Sequence, residues 1–553
     1  MTPLGQRFAC VRRAYRRLPC LLTTRRALFA LLALAVLVYW IEALAWPIQR
    51  GRDGWDYIIY YLSLFDRHTP FPQVMLFRTP VTPVFLGVPL SIGGVTALEI
   101  ALSLLYAFSI LFWSLAALRF SRLGAVLTAL ALLAYPGYGA MYHEASSDCV
   151  TAFLFSLFAF WIVRTMARPG WRGFAVLGAG VALLALTRPV YLVLVATCVL
   201  PLAARAAWRS RLRWTAICVA FTVVPLASWA TLNSLRYGDF TISRLGSALS
   251  TYAPFKNGEY SVENGPASRE LGRLIEREVL TLPQYRRLHV DTTTYFHAGS
   301  NYEALRLCGI SDHTFGLDSD YKILHDAARE AKVKKHRFRI LGVAPWLTAE
   351  RIRAFLTRPV RHEDRSKPDT WPRPNETYAV EGGLVPNPAA LPPPLQAVSF
   401  GTFFCATDEL SRCVLKNPGL AYADAGQARR YREITDKLSE WDKGLGARDP
   451  QHWLAVQIDR VARVYPPPWL WLLLGALALV VRRPRNSRTL VAITLAAGLV
   501  VAGHAAAIDY VAFYSMPVLP AMVLLAICSL TGERGLREEQ ARDGTGEEQA
   551  GGR

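Results

Sequence analysis

The chain has 553 residues, 52% of them hydrophobic, and carries 62 Lys and Arg against 42 Asp and Glu, a formal net charge of +20; its mean hydropathy is +0.21. That balance is too apolar for an ordinary soluble enzyme and too polar for a chain buried wholly in lipid, so it fits many membrane spans joined to one large water-exposed part. The basic residues fall in short clusters between apolar runs and not on one face, which argues against nucleic acid as a partner and for cytoplasmic loops.

Residues 1–26 form a basic tail with Arg7, Arg12, Arg13, Arg16, Arg17, Arg25 and Arg26, expected in the cytoplasm. The apolar run 27–46 is long enough for a full span and is followed by Pro47, Ile48, Gln49 and Arg50 with no small-residue cleavage site, so it reads as an uncleaved first span. Residues 47–96 make the first outer loop. Within it, residues 80–94 are apolar but interrupted by prolines and glycines, and read as re-entrant or interfacial; residues 97–118 read as the second span. Further spans are expected near 123–138, 149–166, 174–187, 190–204 and 214–232, completing a transmembrane module over 27–235. Arg119/Arg122, Arg164/Arg168/Arg172 and Arg205/Arg209/Arg211/Arg213 mark the inner side, alternating with Arg-poor turns at 138–148 and 188–189.

Residues 236–465 contain no span-length apolar run and read as an exterior, mainly helical soluble segment, with helices over 329–355 and 428–464 and a Pro-rich connector over 368–394. Residues 466–530 return to the membrane, with spans near 468–481, 490–507 and 511–530, and residues 531–553 are a charged tail expected to be cytoplasmic and disordered. The fold class is thus an α-helical polytopic membrane protein with about ten spans, or about eleven if 80–94 also crosses. No internal repeat is visible, so the inverted-repeat signature of many transporters is missing. Of nine cysteines, Cys149, Cys198, Cys218 and Cys528 lie in or beside apolar runs, and Cys308, Cys405 and Cys413 lie in the exterior segment. Cys405 and Cys413 bracket a short loop where a disulfide is chemically permitted, with Cys308 as an alternative partner.

Just after the first span the chain reads Arg52-Asp53-Gly54-Trp55-Asp56-Tyr57. An Asp here either caps the next helix or serves as a carboxylate base that takes a proton from a hydroxyl. Asp148 carries the same ambiguity at the start of a later span. Arg78 and Arg188 fall at the same expected surface, either as interfacial charges or as bidentate phosphate contacts. His143 and Glu144 precede Asp148, too few ligands to assign a metal, and a divalent cation stays open. His504 and Asp509 flank the last outer turn, as interfacial polar residues or as cavity lining.

The order Asp53…Tyr57, then Arg78-Thr79-Pro80…Pro83, then Asp148, then Thr187-Arg188-Pro189, followed by the stretch Asn233 to Ser243, resembles bacterial GT-C membrane glycosyltransferases of the lipopolysaccharide-core and protein O-mannosyl type. The likeness covers about 27–250 and, more weakly, the final spans. It implies a polyprenyl-phosphate-linked sugar donor, an envelope lipid, glycan or protein as acceptor, and a bacterial cytoplasmic membrane with both chain termini inside. It implies a catalytic acid in the first outer loop; Asp53 matches by its spacing to Tyr57, with Asp56 the competitor. Tyr57, Arg78, Asp148 and Arg188 become candidate substrate contacts, Asp148 as an auxiliary acid. The long segment 236–465 departs from compact members of that group. A lipid-linked-sugar flippase and a non-catalytic envelope scaffold are the rival readings. The Arg pattern predicts that single cysteines placed in 236–465 react with a membrane-impermeant thiol reagent in intact cells; labelling only after permeabilisation would reverse the topology.

Overall fold

The computed structural model describes residues 25–51, 54–66, 72–244, 254, 258–281, 291–296, 319–335, 345–357, 378–380, 383–385, 425–482, 484, 486–507 and 514–532. The N-terminal basic tail up to residue 24, Cys308, Cys405, Cys413, Asp509 and the tail after 532 lie outside them.

No water reaches backbone groups in a bilayer core, so apolar runs of span length satisfy their own hydrogen bonds as helices. Six helices are long and apolar enough to cross: Arg26–Ala45, Val81–Leu118, Ser147–Ala167, Trp208–Tyr237, His452–Arg482 and Ser487–Ala506. Counting the pair Arg122–Leu133 and Pro136–His143, bent by 65°, as one span makes seven. Trp171–Ala185, Pro189–Ala203 and Met516–Thr531 are apolar but shorter. The chain is a multi-pass membrane protein, but length and composition of the described helices do not reach the ten spans expected from sequence. The shortfall has visible causes. Pro136 interrupts one run, Pro189 separates two others, and the last run is described only from residue 514.

The elements used below are α1 (Arg25–Ala45), β1 (Gln49–Arg50), α2 (Gly54–Ser63), α3 (Pro72–Phe77), α4 (Val81–Leu118), α5 (Arg122–Leu133), α6 (Pro136–Ala140), β2 (Glu144–Ala145), α7 (Ser147–Ala167), α8 (Trp171–Ala185), the 3₁₀ helix Pro189–Ala203 and α9 (Trp208–Tyr237). α4 is not continuous. Gly94 has φ 63° and ψ −153°, a conformation open to glycine alone, and with Gly93 it breaks the helix into an arm, 81–92, and a longer run beyond it. The arm packs on α2: a Cβ on Gly87 would lie 2.0 Å from Tyr61 Cγ, and Ser91 Oγ donates to Tyr61 Oη at 3.1 Å. The break falls where the sequence set 80–94 apart from 97–118.

Tyr39, Tyr106, Trp113, Tyr138, Tyr142, Phe155 and Tyr191 are fully buried in the bundle core. Large apolar side chains such as Phe29, Leu37, Val224, Val480 and Leu495 point outward and are more than half exposed. A band of that kind is stable only against an apolar solvent, which is what a lipid acyl region supplies.

The segment after α9 is also mainly helical among the described residues. In α10 (Pro266–Leu274) the free N-terminal amides of Ala267 and Ser268 donate to Glu330 of α11 (Ser319–Lys335), at 3.1 and 2.8 Å. α12 (Pro345–Thr357) buries Phe355 and donates from Arg351 Nη1 to the Ala505 carbonyl at 2.9 Å. The helix expected over 428–464 is two, α13 (Ala425–Gly444) and α14 (His452–Val464), parted at Gly446 with φ 83°. Of the helix expected over 329–355, the described parts lie in α11 and α12, and 336–344 are outside the described residues. Inside the Pro-rich connector, expected to be extended or loop, Tyr378–Val380 and Gly383–Val385 pair as antiparallel strands. α15 (Pro468–Arg482), α16 (Ser487–Ala507) and α17 (Pro520–Thr531) complete the bundle.

α8 and α9 cross closely at Gly178, where an added Cβ would sit 2.2 Å from the Cys218 carbonyl oxygen and where Thr222 Oγ1 donates to the Gly178 carbonyl at 3.1 Å. Backbone cannot swing aside as a side chain can. Gly178→Ala is therefore expected to lower stability by about 1–3 kcal/mol, despite gaining about 1 kcal/mol of helix propensity. Gly498→Ala, with nothing within 4 Å, should leave the melting temperature unchanged or raised. Thermal unfolding of both variants in detergent checks this.

Candidate active site

The motifs singled out in the sequence meet at one end of the bundle, and backbone hydrogen bonds bring them there. β1 pairs in parallel with β2, Gln49 opposite Glu144 and Arg50 opposite Ala145, so the first loop is tied to the loop before Asp148. The approach is close: a Cβ on Gly51 would lie 2.6 Å from Ser146 Cβ, and one on Gly54 would lie 2.9 Å from the Ala145 carbonyl. Val81 N donates to the Leu186 carbonyl at 3.2 Å and Thr82 Oγ1 to the Thr187 carbonyl at 3.4 Å, which joins Arg78-Thr79-Pro80 to Thr187-Arg188-Pro189. Arg244 N donates to the Leu76 carbonyl at 2.8 Å and Ser243 Oγ to the Phe77 carbonyl at 2.6 Å, so the stretch after α9 closes on α3.

Two ion pairs, one buried and one partly buried, occupy this junction. Arg78 donates from Nε at 2.9 Å and from Nη2 at 2.6 Å to Oδ2 of Asp56 in the first turn of α2. Arg188 pairs through Nη1 with Asp148 in the first turn of α7. The Arg78 guanidinium lies 5.3 Å from the Tyr57 ring centre, and Tyr57 is among the tyrosines whose charge would favour the Arg188 cation. Burial opposes the Arg188 charge, but Asp148, followed by Tyr57, Tyr514 and Tyr191, holds its pKa above the ordinary guanidinium value. Arg188 thus remains a cation under any working condition.

The structure therefore brings Asp56, Tyr57, Arg78, Asp148 and Arg188 together. Asp53 lies outside the described residues; its neighbours Gly51 and Gly54 are the two positions packed on Ala145 and Ser146. The acids differ in what they are free to do. Asp56 faces two donors of one guanidinium and is 2% exposed, an arrangement that holds a loop and blunts a base. The side chain of Arg188 keeps 13% of its surface exposed against 7% for Arg78, and only its Nη1 is engaged by Asp148, so its fork retains donors for an anion. Ser146 caps α7, its hydroxyl accepting from Asp148 N at 3.2 Å; the capping role open to Asp148 in the sequence belongs to its neighbour.

Several residues at this end were not singled out by sequence. Glu42, near the end of α1, is buried with Oε2 3.7 Å from His143 Nε2, and the His143 ring stacks on Tyr39 at 4.3 Å. The available signal was an acid inside an apolar span. Tyr514 places its ring 4.3 Å from the Arg188 guanidinium carbon and stacks on His504 at 6.0 Å; nothing local in the sequence marks that contact. The last part of the long segment also reaches the first loop. Arg430 of α13 donates to Asp66 Oδ2 at 3.0 Å and to the Leu62 carbonyl at 2.9 Å. Arg448 pairs with Glu99, Gly446 N donates to the Ile48 carbonyl at 2.9 Å, and Gln451 N to the Leu44 carbonyl at 2.8 Å. Among the described residues no group of three or more His, Cys, Asp or Glu could hold a metal ion.

No protein-family profile matches the chain, and no curated protein matches it. Among solved structures it is similar to ArnT from Cupriavidus metallidurans bound to undecaprenyl phosphate, at 14% identity over 92% of this chain and 78% of that one, with a TM-score of 0.32. A likeness this shallow decides no chemistry, and the convergence of the motifs on residues 76–82 does not depend on it.

Removing one partner of a buried pair leaves an uncompensated charge, at a cost of about 3–5 kcal/mol. Arg78→Met alone should therefore melt well below Arg78→Met/Asp56→Leu, which removes both charges. Unfolding of the two variants compared with the parent measures the difference; equal losses would mean that the pair is not sealed from water.

Proposed function

We propose that the chain is a membrane glycosyltransferase that moves one sugar from a polyprenyl-phosphate carrier to an envelope lipid, glycan or protein acceptor on the outer face of a bacterial cytoplasmic membrane. The observation that carries this reading is that the segments bearing Arg78 and Arg188 are hydrogen-bonded to each other through Val81 and Thr82 on Leu186 and Thr187, with Tyr57 of the first loop against Arg78. A sugar phosphate leaving at headgroup level needs cations at a fixed place, and acceptor attack needs a carboxylate within reach of the same place.

In this reading Asp53 takes the proton of the acceptor hydroxyl as its oxygen attacks the anomeric carbon. The carbon–phosphate oxygen bond breaks, and its electron pair leaves on the phosphate. Arg188 receives that charge through the donors not used by Asp148. Arg78 is committed to Asp56 and acts first by fixing α2, and with it Tyr57, in place. Asp148 keeps Arg188 oriented. A positioned base is worth roughly 10²–10⁴-fold in rate, and the remainder comes from orientation and leaving-group electrostatics. In the corresponding topology the bent pair and the three shorter apolar helices also cross, giving about ten spans with both termini in the cytoplasm and 236–465 outside.

The roles of the two first-loop acids separate on substitution. Asp53→Asn cannot accept a proton at neutral pH yet is nearly isosteric; it should keep normal abundance and melting temperature and abolish transfer. Mass spectrometry of envelope lipids, glycans and proteins from cells carrying parent or variant reads the missing sugar. Normal glycosylation by Asp53→Asn at normal abundance would remove the base from this position.

A further inference from the structure

His504 has no part in the chemistry above, yet it is the least explained polar side chain near it. It is 1% exposed at the C-terminal end of α16. Its ring is fixed on two sides, stacked on Tyr514 at 6.0 Å and edge-on to Tyr191 at 5.9 Å. Ser515 Oγ lies 3.4 Å from Nδ1. Nε2 is buried and has no hydrogen-bond partner among the described residues. A buried donor left unmade costs free energy, so a ring held this firmly with one nitrogen open implies an occupant at that nitrogen.

What the occupant is follows from the neighbours. Tyr514, the ring on which His504 stacks, also carries the Arg188 guanidinium at 4.3 Å. Val190 and Val193, one turn beyond Arg188, approach Gly503, so imidazole and guanidinium are at the same level of the bundle. The Ser515 contact fits either ring tautomer; in the tautomer where Ser515 donates to Nδ1, the neutral imidazole carries its proton on Nε2 and is a donor, and an anion at Nε2 selects that tautomer. A donor beside a permanent cation suits an anion and repels a cation.

We propose that His504 is a phosphate-contacting residue of the carrier site, its Nε2–H and the free donors of Arg188 holding the same polyprenyl-phosphate group. This rests on the transferase reading and adds to it a residue from the last helices of the chain. His504 keeps its proton throughout: the acceptor proton goes to the first-loop carboxylate, and the electron pair of the broken carbon–oxygen bond goes to the phosphate. Its hydrogen bond strengthens as that charge grows, so it favours departure of the carrier over its retention on the sugar.

The test uses the full chain in lipid nanodiscs with a polyprenyl monophosphate as probe and the uncharged polyprenol as control. His504→Ala should weaken binding of the monophosphate about tenfold and leave polyprenol binding unchanged. His504→Gln, whose amide reaches the Nε2 position, should bind the monophosphate severalfold better than His504→Asn, whose amide reaches only Nδ1; this pair decides the matter if the alanine variant does not fold. Equal monophosphate binding by the Gln and Asn variants, or parallel loss of both lipids in His504→Ala, overturns the assignment. Failure at two levels is distinguishable. A parent protein that does not prefer the monophosphate over the polyprenol sinks the carrier reading itself. A preference lost in Arg188→Ala but intact in His504→Ala sinks the role of His504 alone.

Discussion

A charge taken out of water must meet an opposite charge, and in this chain that rule is obeyed by partners far apart in sequence. Asp56 and Arg78 are separated by 22 positions and Asp148 and Arg188 by 40. Both pairs sit at the edge of an apolar bundle, where leaving either partner single would cost several kcal/mol. The two pairs therefore fix which loops can be neighbours. Once α2 is held to the segment after α3, and the start of α7 to the segment after α8, the hydrogen bonds from Val81 and Thr82 to Leu186 and Thr187 close the remaining gap. Tyr57, next to Asp56, comes to lie against the Arg78 guanidinium as a consequence.

The same pairing logic gives the segment after α9 a structural part. Its last described helices do not stand apart from the bundle. Arg430 grips the C-terminal end of α2 through Asp66 and Leu62, and Arg448 supplies the partner for Glu99, an acid that would otherwise be buried without compensation. Arg351 of α12 reaches the carbonyl of Ala505, next to His504. A segment that reads as an independent soluble unit thus completes the walls around the first loop and the last helices.

The division of labour among charged groups also bears on catalysis. A carboxylate clasped by two guanidinium N–H groups is a poor base and a good strut, while an arginine with unused donors is a good anion receptor. Asp56 and Arg78 have the first character and Arg188 has the second. Tyr514 and Tyr191 extend the Arg188 site towards the last helices, so it is built from the middle and the C-terminal end of the chain together.

Sequence alone determined the class of the molecule, because helix-length apolar runs and clustered arginines are local properties. It marked Asp56, Tyr57, Arg78, Asp148 and Arg188, since short motifs with proline and charge stand out from apolar surroundings. It also separated 80–94 from 97–118, because Gly93-Gly94 is a local breaker. Tertiary structure decided the rest. Which acid pairs with which arginine depends on contacts across 22 and 40 positions, and periodicity does not encode them. The helix break at Gly446 was hidden because amphipathic spacing continues across a turn. Glu42 was not singled out in the sequence, and only the structure put His143 beside it; His504 was open between an interfacial and a cavity-lining residue until packing placed Tyr514 next to its ring. The physical reason is the same in each instance: propensity and hydropathy act along the chain, whereas the pairing of buried charges acts across space.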